Sequence, residues 1–146
     1  GRAAPHLARR TASRPGRAVI YLDTSVALAQ LLAEDRRPPA SLWNRPLVAS
    51  RLLEYELWIR IHARSLGRSH GEQVRALLDR VAFVEMDRKV LARAVEPFPV
   101  PVRALDALHL ASLEFVRRLG EEVVLASYDK QMVRAARALG VEIFGL

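Results

Sequence analysis

Two short apolar runs in this chain end in an aspartate, and each aspartate opens an amphipathic segment. "AVIYLD" closes on Asp23 and leads into "TSVALAQLL"; "VVLASYD" closes on Asp129 and leads into "KQMVRAARAL". Apolar runs this short read as buried strands, and the segments after them carry the three-and-four spacing of helices. Strand–helix units of this kind bury their strands in a mainly parallel sheet covered by helices. Strand-to-helix junctions in such a sheet share one edge, outside the carboxyl ends of the strands. Acids far apart in the chain therefore meet there.

A third acid, Asp106, lies in "VRALDALHLASLEF", near the start of a strongly apolar helix. Carboxylates gathered in one cleft repel one another. Two unit charges ~4 Å apart cost on the order of 4 kcal/mol at an effective dielectric near 20. Such a cluster persists with a bound cation or with shared protons. A divalent metal is the expected occupant.

The remaining pattern agrees with an α/β chain. "PLVAS" and "AFVEM" read as strands, and "VEIF" as the last one. "RLLEYELWIRIHARSL", "EQVRALLDRV" and "DRKVLARAVE" read as helices, with Ser50 a good N-cap for the first. "GRSHG" reads as a turn and "PFPVP" as a rigid connector. The helix over 102–119 is expected to bury a stripe of Leu105, Leu108, Ser112, Phe115 and Leu119. The expected fold is a small, mainly parallel sheet flanked by helices, with no repeats and no second domain.

Composition narrows the chemistry. There is no cysteine among the 146 residues, which excludes a disulfide framework and thiolate metal sites. About half the residues are hydrophobic (51%), enough for a core. No apolar run approaches the roughly 18–20 residues that span a bilayer, and no secretory signal is evident. A cytoplasmic protein with no membrane partner is expected. Residues 1–17 hold Arg2, Arg9, Arg10, Arg14 and Arg17 and no acid, so five of the seven net positive charges lie there. This tail is expected to be disordered; an arm that binds nucleic-acid phosphates is the alternative.

Each candidate residue also has an ordinary structural role. Asp23 and Asp129 suit helix N-caps, and Asp106 suits a first helical turn. His109 shares a face with Asp106 and could be a packed or capping side chain. Glu54 and Glu56 lie on a helix apolar almost all round, so periodicity does not choose between them; Glu56 could pair with Arg60 four residues on. Trp43, Trp58, Tyr55 and Phe115 are dispersed, as core or interface residues rather than a base-stacking platform. There is no glycine-rich phosphate loop, nucleophile elbow or zinc-protease motif. "LDTS" after a strand also suggests aspartyl-phosphate dehalogenase-like enzymes, but those need a second acid where this chain has Ser25.

Four blocks in order, "YLDTS", "LVASRLLEYEL", "VRALDALHLA" and "LASYDKQMVRAARALGV", make residues 18–146 resemble the PIN domain. Within that family they resemble the VapC ribonuclease toxins of VapBC toxin–antitoxin pairs. The third block is the most specific. The second block places its acid six residues after a serine, which selects Glu56 over Glu54. The fourth often has Thr before its acid, where this chain has Ser127.

The resemblance implies a three-layer PIN-like fold and an endoribonuclease that depends on Mg²⁺ or Mn²⁺. It implies catalytic residues Asp23, Glu56, Asp106 and Asp129. Of these, Asp23, Asp106 and Asp129 are expected metal ligands, with Asp129 and Glu56 acting directly or through water. Thr24, Ser25, Ser127 and His109 are expected to support them. It further implies 5′-phosphate and 3′-hydroxyl products, an RNA substrate that is commonly transfer RNA, a homodimer, and a cognate VapB-like antitoxin. The alternatives are a PIN-like binding module without catalysis and a PIN-type DNA nuclease.

Overall fold

The structure, a computed structural model, describes residues 17–33 and 35–146. The expectation of a disordered tail concerns residues 1–17, of which 1–16 lie outside the described residues. The described chain runs β1 (Val19–Leu22), α1 (Thr24–Leu31), β2 (Leu47–Ser50), α2 (Leu52–Ala63) and α3 (Gly67–Asp79). It continues through β3 (Val81–Val84), α4 (Arg88–Ala94), α5 (Ala104–Arg118), β4 (Val123–Ala126), α6 (Lys130–Ala138) and β5 (Glu142–Ile143).

The strands form one sheet in the order β3-β2-β1-β4-β5, and every neighbouring pair is parallel. Side chains alternate across a strand, and β1 feeds both faces in that way. Val19 and Tyr21 pack with Leu110, Leu113 and Val116 of α5 and Met132 of α6. Ile20 and Leu22 pack with Val26 of α1, Leu53 and Leu57 of α2, and Val74 of α3. The result is a three-layer α/β/α arrangement, as expected.

The order also locates the cleft. From β1 the chain steps outward through β2 to β3, then returns to the other side of β1 as β4. At such a switch point the connections leave in opposite directions and open a crevice at the carboxyl ends of the strands. Asp23 directly follows β1, and Asp129 lies just beyond β4.

Local details differ from the sequence pattern. Helix α3 begins at Gly67, so "GRSHG" is helical. The reversal is made earlier, at Ser65, whose φ of 56° is left-handed. Gly67 serves a close approach: a Cβ there would lie 3.1 Å from the His62 ring. A 3-10 helix over Ala40–Asn44 precedes β2. On α5 the buried face includes Asp106, His109, Leu110, Ser112, Leu113 and Val116, so of the expected stripe Ser112 is fully buried, whereas Leu105 and Leu119 are exposed at 49% and 42%. The two ends of the expected stripe fall on the helix flank, and Leu110, Leu113 and Val116 take the core-facing positions. Among the described residues no helix is long and apolar enough to cross a membrane.

Candidate active site

Asp23, Glu56, Asp106 and Asp129 all line one cleft of about 490 Å³, with Thr24, Ser25, His109, Arg36, Arg60 and Arg103. The four acids come from the β1–α1 junction, helix α2, the first turn of α5 and the β4–α6 junction.

Asp23 is the N-cap of α1. Its Oδ2 accepts from Ser25 Oγ at 2.6 Å and from Ser127 Oγ at 2.8 Å. The Ser25 amide adds a longer contact of 3.4 Å. Both hydroxyls are fixed in turn: Ser25 Oγ accepts from the Tyr128 amide, and Ser127 Oγ from the Asp129 amide. Two serines thus stitch the carboxyl ends of β1 and β4 together through one carboxylate oxygen. Hydroxyl donors to an ionised acceptor make strong, short bonds. Among the described residues, Asp23 Oδ1 takes no hydrogen bond.

Asp129 is the N-cap of α6: its Oδ1 accepts from the Gln131 and Met132 amides. The capping role therefore uses one oxygen and leaves the other for the cleft. That other oxygen, Oδ2, receives Arg103 Nη2 at 2.6 Å, while Arg103 Nε donates to Asp106 Oδ2 at 2.9 Å. One exposed guanidinium spans two of the acids, and their proximity raises its pKa above the ordinary arginine value.

Glu56 Oε1 accepts from Thr24 Oγ1 at 2.8 Å and lies 2.7 Å from His109 Nε2. Burial works to raise its pKa. The contacts with His109 and Thr24, and the charge of Arg60, outweigh burial and leave Glu56 below its ordinary value. Glu54, by contrast, points to solvent and pairs with Arg51 at 2.7 Å. The structure brings Glu56, not Glu54, into the cleft.

Behind Glu56 lies a buried polar line. His109 Nδ1 is 2.9 Å from Tyr21 Oη, which also accepts from the Ser50 amide at 3.1 Å. An amide can only donate, so the phenol is free to donate to Nδ1, leaving Nε2–H for Glu56. Tyr21 is fully buried, and that burial pushes its pKa far above the ordinary phenol range. It acts as a neutral hydrogen-bonding post. Arg51 takes the N-cap position of α2 without a side-chain bond, and the expected cap, Ser50, stands one residue earlier, its Oγ accepting from the Leu52 amide.

The donor set suits a hard divalent cation, which prefers oxygen ligands. Oδ1 of Asp23 and Asp106 and Oε2 of Glu56 accept nothing among the described residues, while the other oxygen of each is held. No three acids among the described residues converge into a ready cage, and Arg103 stands between two of them. Mg²⁺ commonly keeps several waters and uses only one or two carboxylates, so a full cage is not required. All eight site residues expected from the sequence lie at or behind the cleft. Arg103 and Tyr21 were not anticipated. The one signal for Arg103 was its i,i+3 spacing from Asp106.

A family model described as "PIN domain" matches residues 20–138. The chain belongs to the PIN domain family. Among curated relatives of this PIN domain, Ribonuclease VapC46 of Mycobacterium tuberculosis is 31% identical over 130 residues, covering 86% of this chain and 96% of that protein. Ribonuclease VapC47 of the same species is 28% identical over 129 residues, covering 84% and 93%. Ribonuclease VapC35 is 30% identical over 132 residues, covering 86% and 95%. The span matched by the family model includes Asp23, Glu56, Asp106 and Asp129, and the VapC resemblance read from the sequence agrees with these relatives.

Proposed function

We propose that this PIN domain is a metal-dependent endoribonuclease of the VapC toxin kind, which cleaves RNA and is neutralised by a cognate VapB-like antitoxin. One observation carries the reading. Four carboxylates from four separate elements meet in one cleft, and three of them, Asp23, Glu56 and Asp129, are engaged by a side chain from another element, Ser127, His109 and Arg103 respectively. Acids that served only as helix caps would not need bracing from distant elements.

Asp23, Asp106 and Asp129 would hold a Mg²⁺ or Mn²⁺ ion, with Glu56 joining directly or through water. When bound, that ion supplies positive charge for the phosphoryl and leaving oxygens and lowers the pKa of water. The chain's own residues then have distinct tasks. Ser25 and Ser127 keep Asp23 in one orientation. Thr24 and His109 hold one oxygen of Glu56, so its free oxygen can accept a proton from an incoming water. Arg36 and Arg60 line the cleft and offer planar donors to the RNA backbone. Transfer RNA is the proposed substrate class, and a cytoplasmic homodimer the proposed form.

The test is cleavage of matched RNA and DNA strands by the purified chain, with Mg²⁺ or Mn²⁺ and with a chelator. RNA cleavage lost on chelation is expected. Preferential DNA cleavage would move the protein to the PIN-type DNA nucleases. No cleavage of either, with metal present, would leave a binding module.

A further inference from the structure

Arg103 is the least expected member of the cleft. Its side chain is 62% exposed, yet it reaches two acids at once, at 2.9 Å and 2.6 Å. Those acids come from different elements, the first turn of α5 and the N-cap of α6. Arg103 itself sits at the N-cap position of α5 but makes no side-chain cap bond there. Its guanidinium is committed to the cleft and not to its own helix.

An unneutralised cluster of acids would be strained by mutual repulsion. Arg103 meets that need from within the chain, with no external ion. It does so on two of the acids whose oxygens a divalent cation would require, and the two positive groups cannot share them closely. We infer that Arg103 is the resident counter-ion of the metal-free site, and that a divalent metal binds by displacing it from Asp106 and Asp129. This rests on the reading of the cleft as a metal centre.

The geometry divides the site in two. Asp23 and Glu56 are held by hydroxyls and by His109, which add no competing fixed cation at Asp23. One oxygen each of Asp106 and Asp129 is held by the solvent-exposed Arg103 side chain. A tethered group competes at an effective concentration on the order of millimolar. Metal occupancy therefore begins from an occupied pair of ligands, and affinity is lower than the acids alone would give. The site is kept charge-balanced when metal is scarce.

The experiment uses the full chain stripped of metal, and Mn²⁺ as the titrant. Isothermal calorimetry compares the wild type with Arg103→Gln and Arg103→Lys. Arg103 is exposed and caps nothing, so both variants should fold. Arg103→Gln is expected to bind Mn²⁺ about tenfold more tightly than the wild type, with Arg103→Lys between them. Thermal melts supply a second readout. In chelator Arg103→Gln should melt below the wild type, and saturating Mn²⁺ should close or reverse the gap. Equal or weaker Mn²⁺ binding by Arg103→Gln, with wild-type binding intact, would overturn the displacement and leave the metal centre standing. No Mn²⁺ binding by either protein would overturn the metal centre itself, and this inference with it.

Discussion

Nε2 of His109 lies 2.7 Å from Oε1 of Glu56, a contact that joins the inner face of α5 to the one cleft acid carried on α2. It makes the position of Glu56 depend on a residue more than fifty positions away in the chain. Thr24, from α1, donates to the same oxygen. Three helices thus converge on a single carboxylate atom, and its chemistry can be tested separately from that of its neighbour Glu54.

Glu56→Gln is expected to lose most RNA cleavage, by about two orders of magnitude, whereas Glu54→Gln should cleave normally. Glu54 pairs only at the surface with Arg51, and exposed pairs contribute about 0–1 kcal/mol. Cleavage assays on the two variants decide. Loss in Glu54→Gln with none in Glu56→Gln would show that the second acidic block had been misassigned.

Asp23→Asn and Asp106→Asn should each abolish cleavage while the fold survives. Removing one charge relieves repulsion, so neither variant should be grossly unstable without metal. Circular dichroism melts alongside RNA cleavage and Mn²⁺ titration provide the check. Wild-type cleavage by either variant would remove that acid from the ligand set.

Tyr21→Phe tests the buried line behind His109. It deletes the oxygen that accepts from Ser50 and meets Nδ1, all within the core. Leaving a buried donor unpaired costs roughly 1–3 kcal/mol, so urea unfolding should report a loss of that size. Cleavage should fall as well, since His109 would no longer be held against Glu56. An unchanged midpoint would mean that the line contributes nothing to stability.

The depressed pKa of Glu56 makes a pH prediction with a defined sign. Its folded value lies below the ordinary 4.5, so the unfolded chain takes up this proton first as pH falls. The stabilisation is present in full above about 4.5 and disappears as pH drops through the lower folded value. Stability curves of wild type and Glu56→Gln should therefore run parallel at higher pH and converge in acid. Curves that stay parallel throughout would show no such linkage.

Deleting residues 1–17 is expected to leave the fold, the metal affinity and the salt dependence of RNA binding unchanged. Each neutralised phosphate contributes about 0.9 (duplex) or 0.7 (single strand) to the log–log salt slope. A slope that falls by two or more on truncation would make the tail an RNA-binding arm.

The strand–helix alternation and the edge that gathers the acids were legible because both follow from local periodicity. Asp23 and Asp129 were recognisable as caps, and capping and cleft-lining turned out to use different oxygens of Asp129. Tyr21 was not legible: inside "AVIYLD" it reads as one more apolar strand residue, and its partners Ser50 and His109 are set by sheet register and helix docking. The apolar stripe of α5 was placed too far round the helix, because spacing alone fits Leu105 and Leu119 as well as the leucines that are buried, Leu110 and Leu113. Asp106 and His109 share the inward face as expected, and their partners are Arg103 for the first and Glu56 and Tyr21 for the second.

Strand β1 has a practical consequence for handling the protein. Its carboxyl end carries Asp23 into the cleft, while its first residue, Val19, lies at the opposite edge of the sheet, where its amide donates to the Glu122 carbonyl. Four residues of parallel strand span about 13 Å. A surface anchor or affinity handle joined ahead of Val19 is therefore attached on the far side of the sheet from the acids, and an immobilised molecule would present its cleft to the solution.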